Sequence, residues 1–542
     1  MPIPVSPVTE DLLSRIERLN AIGIALSSET DVERLLETIL LGAKELTRSD
    51  GGTLYEVRDD HLHFRIVRND TLGIVYGGTS DAAPPFQSVP MHAADGVANH
   101  HSVVAHAVLA GATVNIPDAY HAQGFDFSGT RAFDLRTGYH STSFLTVPMR
   151  DHEGQISGVL QLLNARQADG TVVAFSAADQ RLVESLASQA ATALAKRELI
   201  ADQQAMFEAF IRMIAGAIDD KSPYTGGHCR RVPELTMLLA DACAEATSGP
   251  LAGFAMDAKD RYELHIAGWL HDCGKITTPE WVMDKATKLS RITDRIDLIE
   301  ERFRCAGQVS DIQAWRTIAE QGLQGTLRDE VLAEAARMRA ELAADLAFLR
   351  SCNRGSEAMR PDDQVRVRAI ASRRVRPSEG DEYPLLTEDE VRNLCIPRGT
   401  LLPEEREIIN HHIVATTKML ESLPYPRHLR RVPEFAGGHH ERMDGRGYPK
   451  GLTRDQMSVQ ARVMGISDVF EALTAGDRPY KKAMTLSQAL AILGMMKLDG
   501  HIDPDIFDVF VRSGVYRVYA ERFLKPEQID AVDPTKVPGW PL

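Results

Sequence analysis

Residues 439–449 read HHERMDGRGYP. Two imidazoles stand side by side, an acid and an arginine follow, and a turn of Asp, Gly, Arg and Gly delivers one aromatic ring and a proline. A soluble protein needs a reason to place two imidazoles together, and the sequence around them offers one.

From about residue 205 onward the chain is helix-rich and carries nearly all of its chemically notable histidines. The stretch AGWLHDCGKITTP, 267–279, brings His271 and Asp272 off the end of an apolar helical turn. Helical neighbours point about 100° apart, yet both can reach an ion beside the helix. One nitrogen with one or two carboxylate oxygens suits Fe, Mn or Zn. His228 lies in KSPYTGGHCRRV, His412 in REIINHHIVATTKML, and Asp468 in RVMGISDVFEALTAGDRPYKK. Asp468 is flanked by apolar helix, so its charge requires a partner or a metal. Any one of these residues reads most simply as a hydrogen-bonded or surface side chain. Together, on helical segments of one domain, they point to a metal centre.

A segment at about 290–396 interrupts this region with charged helical sequence such as LRDEVLAEAARMRAELAADLAFLR, and reads as a solvated helical insertion. Ahead of the histidine-bearing region, residues 11–45 repeat apolar positions at helical spacing. Residues 143–165 place two apolar runs around Asp-His-Glu-Gly, a hairpin signal. A helix then starts with Ser176 as N-cap and Asp179 in its first turn. Leu182, Leu186, Ala190, Leu194, Phe207, Phe210, Ile211 and Ile214 fall near one stripe, which predicts a connecting helix at 180–215 that pairs with a second copy.

The 542 residues allow several domains. A net charge of −15 argues against binding a nucleic acid polymer or an anionic membrane, without excluding a small phosphate ligand. The six cysteines show no close pairing, which favours a reducing cytoplasm. The sequence shows no secretory leader and no apolar run near membrane-spanning length.

The motifs His271-Asp272 with Gly274-Lys275, His439-His440-Glu441, Asp444-Gly445-Arg446-Gly447-Tyr448-Pro449 and Arg478-Pro479-Tyr480-Lys481 resemble the HD-GYP family of the HD phosphohydrolases, over about 205–285 and 395–525. The resemblance implies a helical bundle around two divalent ions, Fe or Mn, and hydrolysis of cyclic di-GMP. It implies a first ion held by His228, His271, Asp272 and Asp468, with Asp272 bridging to a second held by His412, His439 and His440. Two ions roughly 3.5–4 Å apart suit in-line attack on phosphorus. His411 is the alternative to His412, and Leu420 at the expected spacing favours the latter. Lys275 and Asp272 take catalytic roles, Lys275 by neutralising phosphate charge; a plain surface lysine is the alternative. Arg478 and Lys481 grip phosphate from one helical face. Gly447, Tyr448 and Pro449 contact substrate, with Tyr448 stacking on a base or simply packing the loop. Tyr224 replaces a glutamate that supports a third metal in some members, which favours two. His-Ile-Val-Ala-Thr replaces the common His-Pro-x-x-Gly. Cys229 and Cys273 read as small apolar fillers.

Residues of about 20–195 resemble a GAF domain, an α/β sensor module. Phe133, Asp134, Thr137 and Tyr139 resemble the ligand-binding positions of cyclic-nucleotide GAF domains; haem on His140 or His106 is an alternative. The expected architecture is an α/β GAF domain at 1–195 and a mostly α-helical HD-GYP bundle at 205–535. The expected function is a GAF-controlled cyclic di-GMP phosphodiesterase giving linear dinucleotide, GMP or both. It is expected to be a cytoplasmic homodimer, with a small ligand at the GAF domain and a diguanylate cyclase (GGDEF) as a possible partner. The alternatives are a non-hydrolysing receptor and a phosphohydrolase for another cyclic dinucleotide or phosphate ester.

Overall fold

A computed structural model describes residues 7–29, 31–221, 227–355, 358–377, 380–476 and 483–540, with side chains from residue 13. Its contacts divide the chain into two compact units, Met1–Met206 and Phe207–Leu542.

The first unit is built on an antiparallel sheet in the order β3-β2-β1-β7-β6-β5. Its strands are β1 (Ser49–Arg58), β2 (His61–Asn69), β3 (Ile74–Tyr76), β4 (Val89–Pro90), β5 (Val114–Ile116), β6 (Phe144–Arg150), β7 (Ile156–Arg166) and β8 (Val172–Val173). β4 adds to β2 and β8 to β7. The hairpin read at 143–165 is β6-β7, with Phe144 opposite Leu163 and Val147 opposite Leu160. Helices α1 (Pro7–Ser28) and α2 (Val32–Thr47) and the start of α5 (Ala177–Lys221) share a core with one face of the sheet. Asp31 caps α2 by accepting from the Arg34 N–H. Leu36, Ile39, Leu40 and Ala43 then face Leu54, Leu160 and Leu162 at helical spacing. The other face carries α3 (Val103–Ala110), and α4 (Ser128–Thr137) follows in the loops beyond it.

α5 is one continuous 45-residue helix. Ser176 and Asp179 bond reciprocally at its start, each side chain accepting from the other's backbone N–H. The single stripe expected along it is divided. Leu182, Leu186 and Ala190 are buried in the first unit's core, and Ile211, Ala215 and Ile218 in the second's. Phe210 and Ile214 are exposed, because each core claims the helix face that its own packing requires.

The second unit comprises α6 (His228–Ala244), α7 (Ala258–Leu270), α8 (Glu280–Met283), α9 (Ile296–Gln321), α10 (Gly325–Asn353), α11 (Pro361–Ala371), α12 (Glu388–Leu394), α13 (Pro403–Glu421), α14 (Val432–Gly437), α15 (Val459–Thr474), α16 (Leu486–Leu498), α17 (Pro504–Ser513) and α18 (Val515–Phe523). α6, α7 and α14–α18 share one core with the end of α5, around Leu239, Leu264, Phe435, Phe470, Phe507 and Tyr519. The segment at 290–396 differs from a merely solvated insertion. α9–α12 and a short ladder of β9 (Arg374–Val375) with β10 (Tyr383–Pro384) enclose a separate core around Ile299, Phe303, Leu342, Leu349 and Ile370. Among the described residues no helix is long and apolar enough to cross a membrane.

Candidate metal centre

Five segments of the second unit converge on one buried cluster. α6 opens with His228, behind Gly227 as its N-cap. α7 ends at Leu270 and hands His271 and Asp272 to a 3-10 turn, Cys273–Thr277. α13 carries His412, and α14 stops just short of His439 and His440. α15 carries Asp468.

His228, His271, Asp272 and Asp468 bring one ligand atom each within 4.8 Å of one another, and His412, His439 and His440 form a second such group. In the first, His228 Nε2 lies 3.1 Å from Asp272 Oδ2 and 3.3 Å from Asp468 Oδ1, and His271 Nε2 lies 3.3 Å from both His228 Nε2 and Asp272 Oδ2. In the second, His440 Nε2 lies 3.2 Å from His412 Nε2. Asp272 joins the two: its other oxygen, Oδ1, is 3.2 Å from His412 Nε2. Atoms about 2 Å from one ion sit about 3 Å from each other, the spacing seen here. His439 Nε2 is buried with no hydrogen-bond partner among the described residues, as a nitrogen kept for an ion would be. The donor set fits divalent Fe, Mn or Zn.

The rings are oriented from behind. His271, His412 and His439 turn Nδ1 to the carbonyls of Gly268 (2.7 Å), Ile409 (2.5 Å) and Ala436 (2.6 Å). Each bond reaches back three residues, so it holds the proton on Nδ1 and the Nε2 lone pair inward. His412 is buried and His411 exposed, which places the former in the cluster. His228 uses a carboxylate instead: its Nδ1 is 2.5 Å from Glu471 Oε2, and Glu471 also accepts from Arg231 Nε at 2.7 Å. Sequence reasoning missed Glu471. The signal was its place one helical turn after Asp468 in an otherwise apolar helix. Glu471→Gln keeps the shape and removes the charge. It is expected to weaken Mn2+ binding about 10- to 100-fold, the usual worth of such outer partners, in a calorimetric titration of metal-free protein. Unchanged affinity would make Glu471 a packing residue.

The two groups differ electrically. Burial opposes a charge on His228 and His271, but neighbouring carboxylates outweigh it. Glu471 and Asp272 hold His228 well above the usual range, and Asp272 and Asp468 raise His271 to about 9. Burial pushes His439 well down and His440 down to about 4. Without an ion, the first pair is therefore protonated at pH 7 and the second pair is neutral. An ion must displace protons from His228 and His271 but not from His439 or His440. Mn2+ affinity of the first group is expected to rise steeply between about pH 6 and 9, more steeply than that of the second group, whose His439 and His440 are already neutral. Titrations in buffers of differing ionisation enthalpy report the released protons; equal pH slopes for both groups would contradict the asymmetry. Lys275 Nζ lies 2.5 Å from Asp272 Oδ2, which with Asp468 keeps the ammonium charged despite its burial. Burial pushes the Cys273 thiol up to about 11 and the Cys229 thiol higher still, so both stay protonated apolar fillers at neutral pH.

The quoted stretch folds back on itself. Glu441 is buried and accepts from the Lys450 and Leu452 N–H groups at 2.7 and 2.9 Å. A Cβ on Gly447 would lie 2.3 Å from Arg442 N, so only glycine permits this approach. Tyr448 stacks on the His440 imidazole, centroids 4.9 Å apart and planes at 19°, and Pro449 is half-buried beside it. Tyr224, Arg478 and Lys481 lie outside the described residues.

The expected GAF ligand positions bond within the first unit. Asp134 is buried, accepting from Tyr120 Oη and from the N–H and Oγ of Ser141 at 2.7–2.8 Å. Tyr139 Oη donates to Asp50 at 2.5 Å and accepts from Asn164 at 2.9 Å. Thr137 is exposed and bonds back to the Phe133 carbonyl. His140 stacks on Tyr120, and His106 Nδ1 sits 3.2 Å from His100 Nδ1.

Comparison with known proteins fits this division. Residues 31–194 match the GAF domain family and residues 388–506 the HD domain family. The HD match includes His412, His439, His440 and Asp468; the other three clustered residues lie ahead of it. A cyclic di-GMP phosphodiesterase of Pseudomonas aeruginosa is 47% identical over 83 residues, 15% of this chain and 19% of that protein. The 3'3'-cGAMP-specific phosphodiesterase 1 of Vibrio cholerae is 44% identical over 82 residues, again 15% and 19%. The cyclic di-GMP phosphodiesterase response regulator RpfG of Xanthomonas campestris is 44% identical over 122 residues, 22% of this chain and 31% of that protein. This chain thus spans about a fifth to a third of the length of these relatives. Among solved structures, the GAF domain of an Acinetobacter phosphoenolpyruvate-protein phosphotransferase aligns at 15% identity and TM-score 0.26, over 35% of this chain and 98% of its own. On the two family matches, the protein carries a GAF domain followed by an HD domain.

Proposed function

We propose that this protein is a metal-dependent phosphodiesterase that hydrolyses a cyclic dinucleotide, cyclic di-GMP foremost, to the linear dinucleotide, GMP or both. The observation that carries the reading is Asp272, whose two oxygens face two separate groups of ligands 3.1 and 3.2 Å away. Two divalent ions, Fe or Mn, would supply Lewis acidity toward the phosphodiester. His228, His271, Asp272 and Asp468 would hold one, and His412, His439 and His440 the other. Lys275 holds the shared carboxylate and keeps a cation at the centre, where it can offset charge developing on phosphate. Tyr448, flat on His440, walls one side of the site. Arg478 and Lys481 are proposed to grip phosphate.

The names of the relatives support cyclic di-GMP and cGAMP as the substrate class. Anaerobically purified, metal-loaded protein is expected to cleave one of them in a panel assayed by chromatography. A tight complex with no product over hours would mean a receptor instead. The intact ligand set and Lys275 favour the enzyme.

GAF control and homodimerisation belong to the same proposal. Leu199, Met206 and Met213 repeat every seven residues on α5, with Phe210 between, and all four are exposed. A single 59.8 kDa species in sedimentation velocity would remove the dimer.

A further inference from the structure

The last turn of α5 touches both segments that form the first ligand group. Asp219 faces the start of α6: its Oδ2 accepts from the Gly227 N–H at 3.0 Å and its Oδ1 from the Cys229 N–H at 3.4 Å. These amides flank His228. The N-cap Gly227 offers no side chain for this duty, so an acid from the preceding helix satisfies the open donors and meets the positive end of α6. Lys221, two residues on, faces the other segment. Its ammonium donates to the carbonyls of Ile276 at 2.5 Å and Thr278 at 2.7 Å, with Lys275 O at 3.4 Å. These carbonyls close the 3-10 turn that follows His271 and Asp272 and carries Lys275, an end where a cation is favoured.

We propose that Asp219 and Lys221 are positioning residues of the metal centre: a two-point clasp that sets His228 against the Asp272–Lys275 turn. The spacing the clasp holds is the 3.1 Å between His228 Nε2 and Asp272 Oδ2. Neither residue touches an ion or substrate, and each acts on a different ligand segment through backbone. Because α5 is unbroken from Ala177, a shift or rotation of its final turn moves both segments together. The clasp thereby gives the connecting helix a hold on ion affinity. The inference rests on the metal-centre reading above.

The test is Mn2+ titration of the metal-free full chain, alongside thermal melting. Asp219→Ala and Lys221→Met are each expected to weaken binding to the first group about tenfold, at the lower end for outer residues of metal sites. The second group's affinity should stay unchanged. Lys221→Arg, which keeps the cation, and Asp219→Asn, which keeps an acceptor, should recover most of the loss. Lys497→Met is the control, since Lys497 bonds Asp508 and the Gly539 carbonyl elsewhere in the unit. If the control weakens Mn2+ binding as much, the effect is general loosening and the clasp is wrong. Parental affinity in Asp219→Ala and Lys221→Met overturns the clasp while leaving the centre intact. A parent chain that binds no Mn2+ overturns the centre, and the clasp with it.

Discussion

Asp272→Ala is expected to lower cyclic dinucleotide cleavage by about 1000-fold or more, beyond the 10- to 100-fold typical of outer residues, and to lower occupancy of both ions. The reason is geometric. Asp272 Oδ2 sits among His228, His271 and Lys275, and Oδ1 sits 3.2 Å from His412 Nε2. Asp468 comes within 4 Å of His228 and His271 in the first group, and its charge also reaches His439 and His440, but the close contact to His412 is made by Asp272. His440→Ala should differ: its ring belongs to the second group alone, so the first group should keep its ion while cleavage still falls. Metal content per chain, measured with cleavage on the same samples, separates the cases. An Asp272→Ala protein that retains two ions and parental turnover would refute the shared carboxylate and the assigned centre.

The clustered residues were legible in the sequence because they are chemically rare where they stand. An acid inside an apolar helix, or two adjacent histidines, demands a partner wherever the chain goes. What holds those residues in place was not legible. Glu471 stands in the same apolar helix as Asp468, but its partner stays unnamed until folding sets it against His228, 243 positions away. Asp134 and Tyr139 show the opposite case, partners that the sequence did not name. Polar and aromatic residues around a glycine turn look available for a ligand, whereas here Asp134, buried on α4, and Tyr139, just past the turn at Gly138, bond to protein partners. The stripe on α5 is divided for a third reason. Periodicity reports which positions are apolar, not which of several cores will take them. The insertion's separate core has the same origin, since its helices look charged until Phe303, Leu342 and Leu349 are seen to meet.

Gly274→Ala should show that the two ligand groups depend on one close approach. A Cβ at residue 274 would lie 2.0 Å from the His412 carbonyl oxygen and 2.5 Å from Thr416 N, both backbone atoms that cannot swing aside. The Gly274 N–H also donates to Thr416 Oγ1 at 2.8 Å, which draws the turn onto α13. An added methyl must push apart the turn that carries Asp272 and the helix that carries His412. Overpacking of this kind costs about 1–3 kcal/mol, and here the displaced atoms are those that set Asp272 Oδ1 against His412 Nε2. The melting temperature, the occupancy of the second group and turnover should therefore all fall, with turnover lowered at least tenfold if the geometry matters as catalysis requires. Gly307→Ala serves as the comparison. It sits inside α9, its added Cβ would meet only the flexible Arg339 side chain at 3.4 Å, and alanine favours a helix interior by about 1 kcal/mol over glycine. That variant should melt at or above the parent temperature with both ions bound. If Gly274→Ala behaves the same way, the contact between the turn and α13 is not what brings the two groups together.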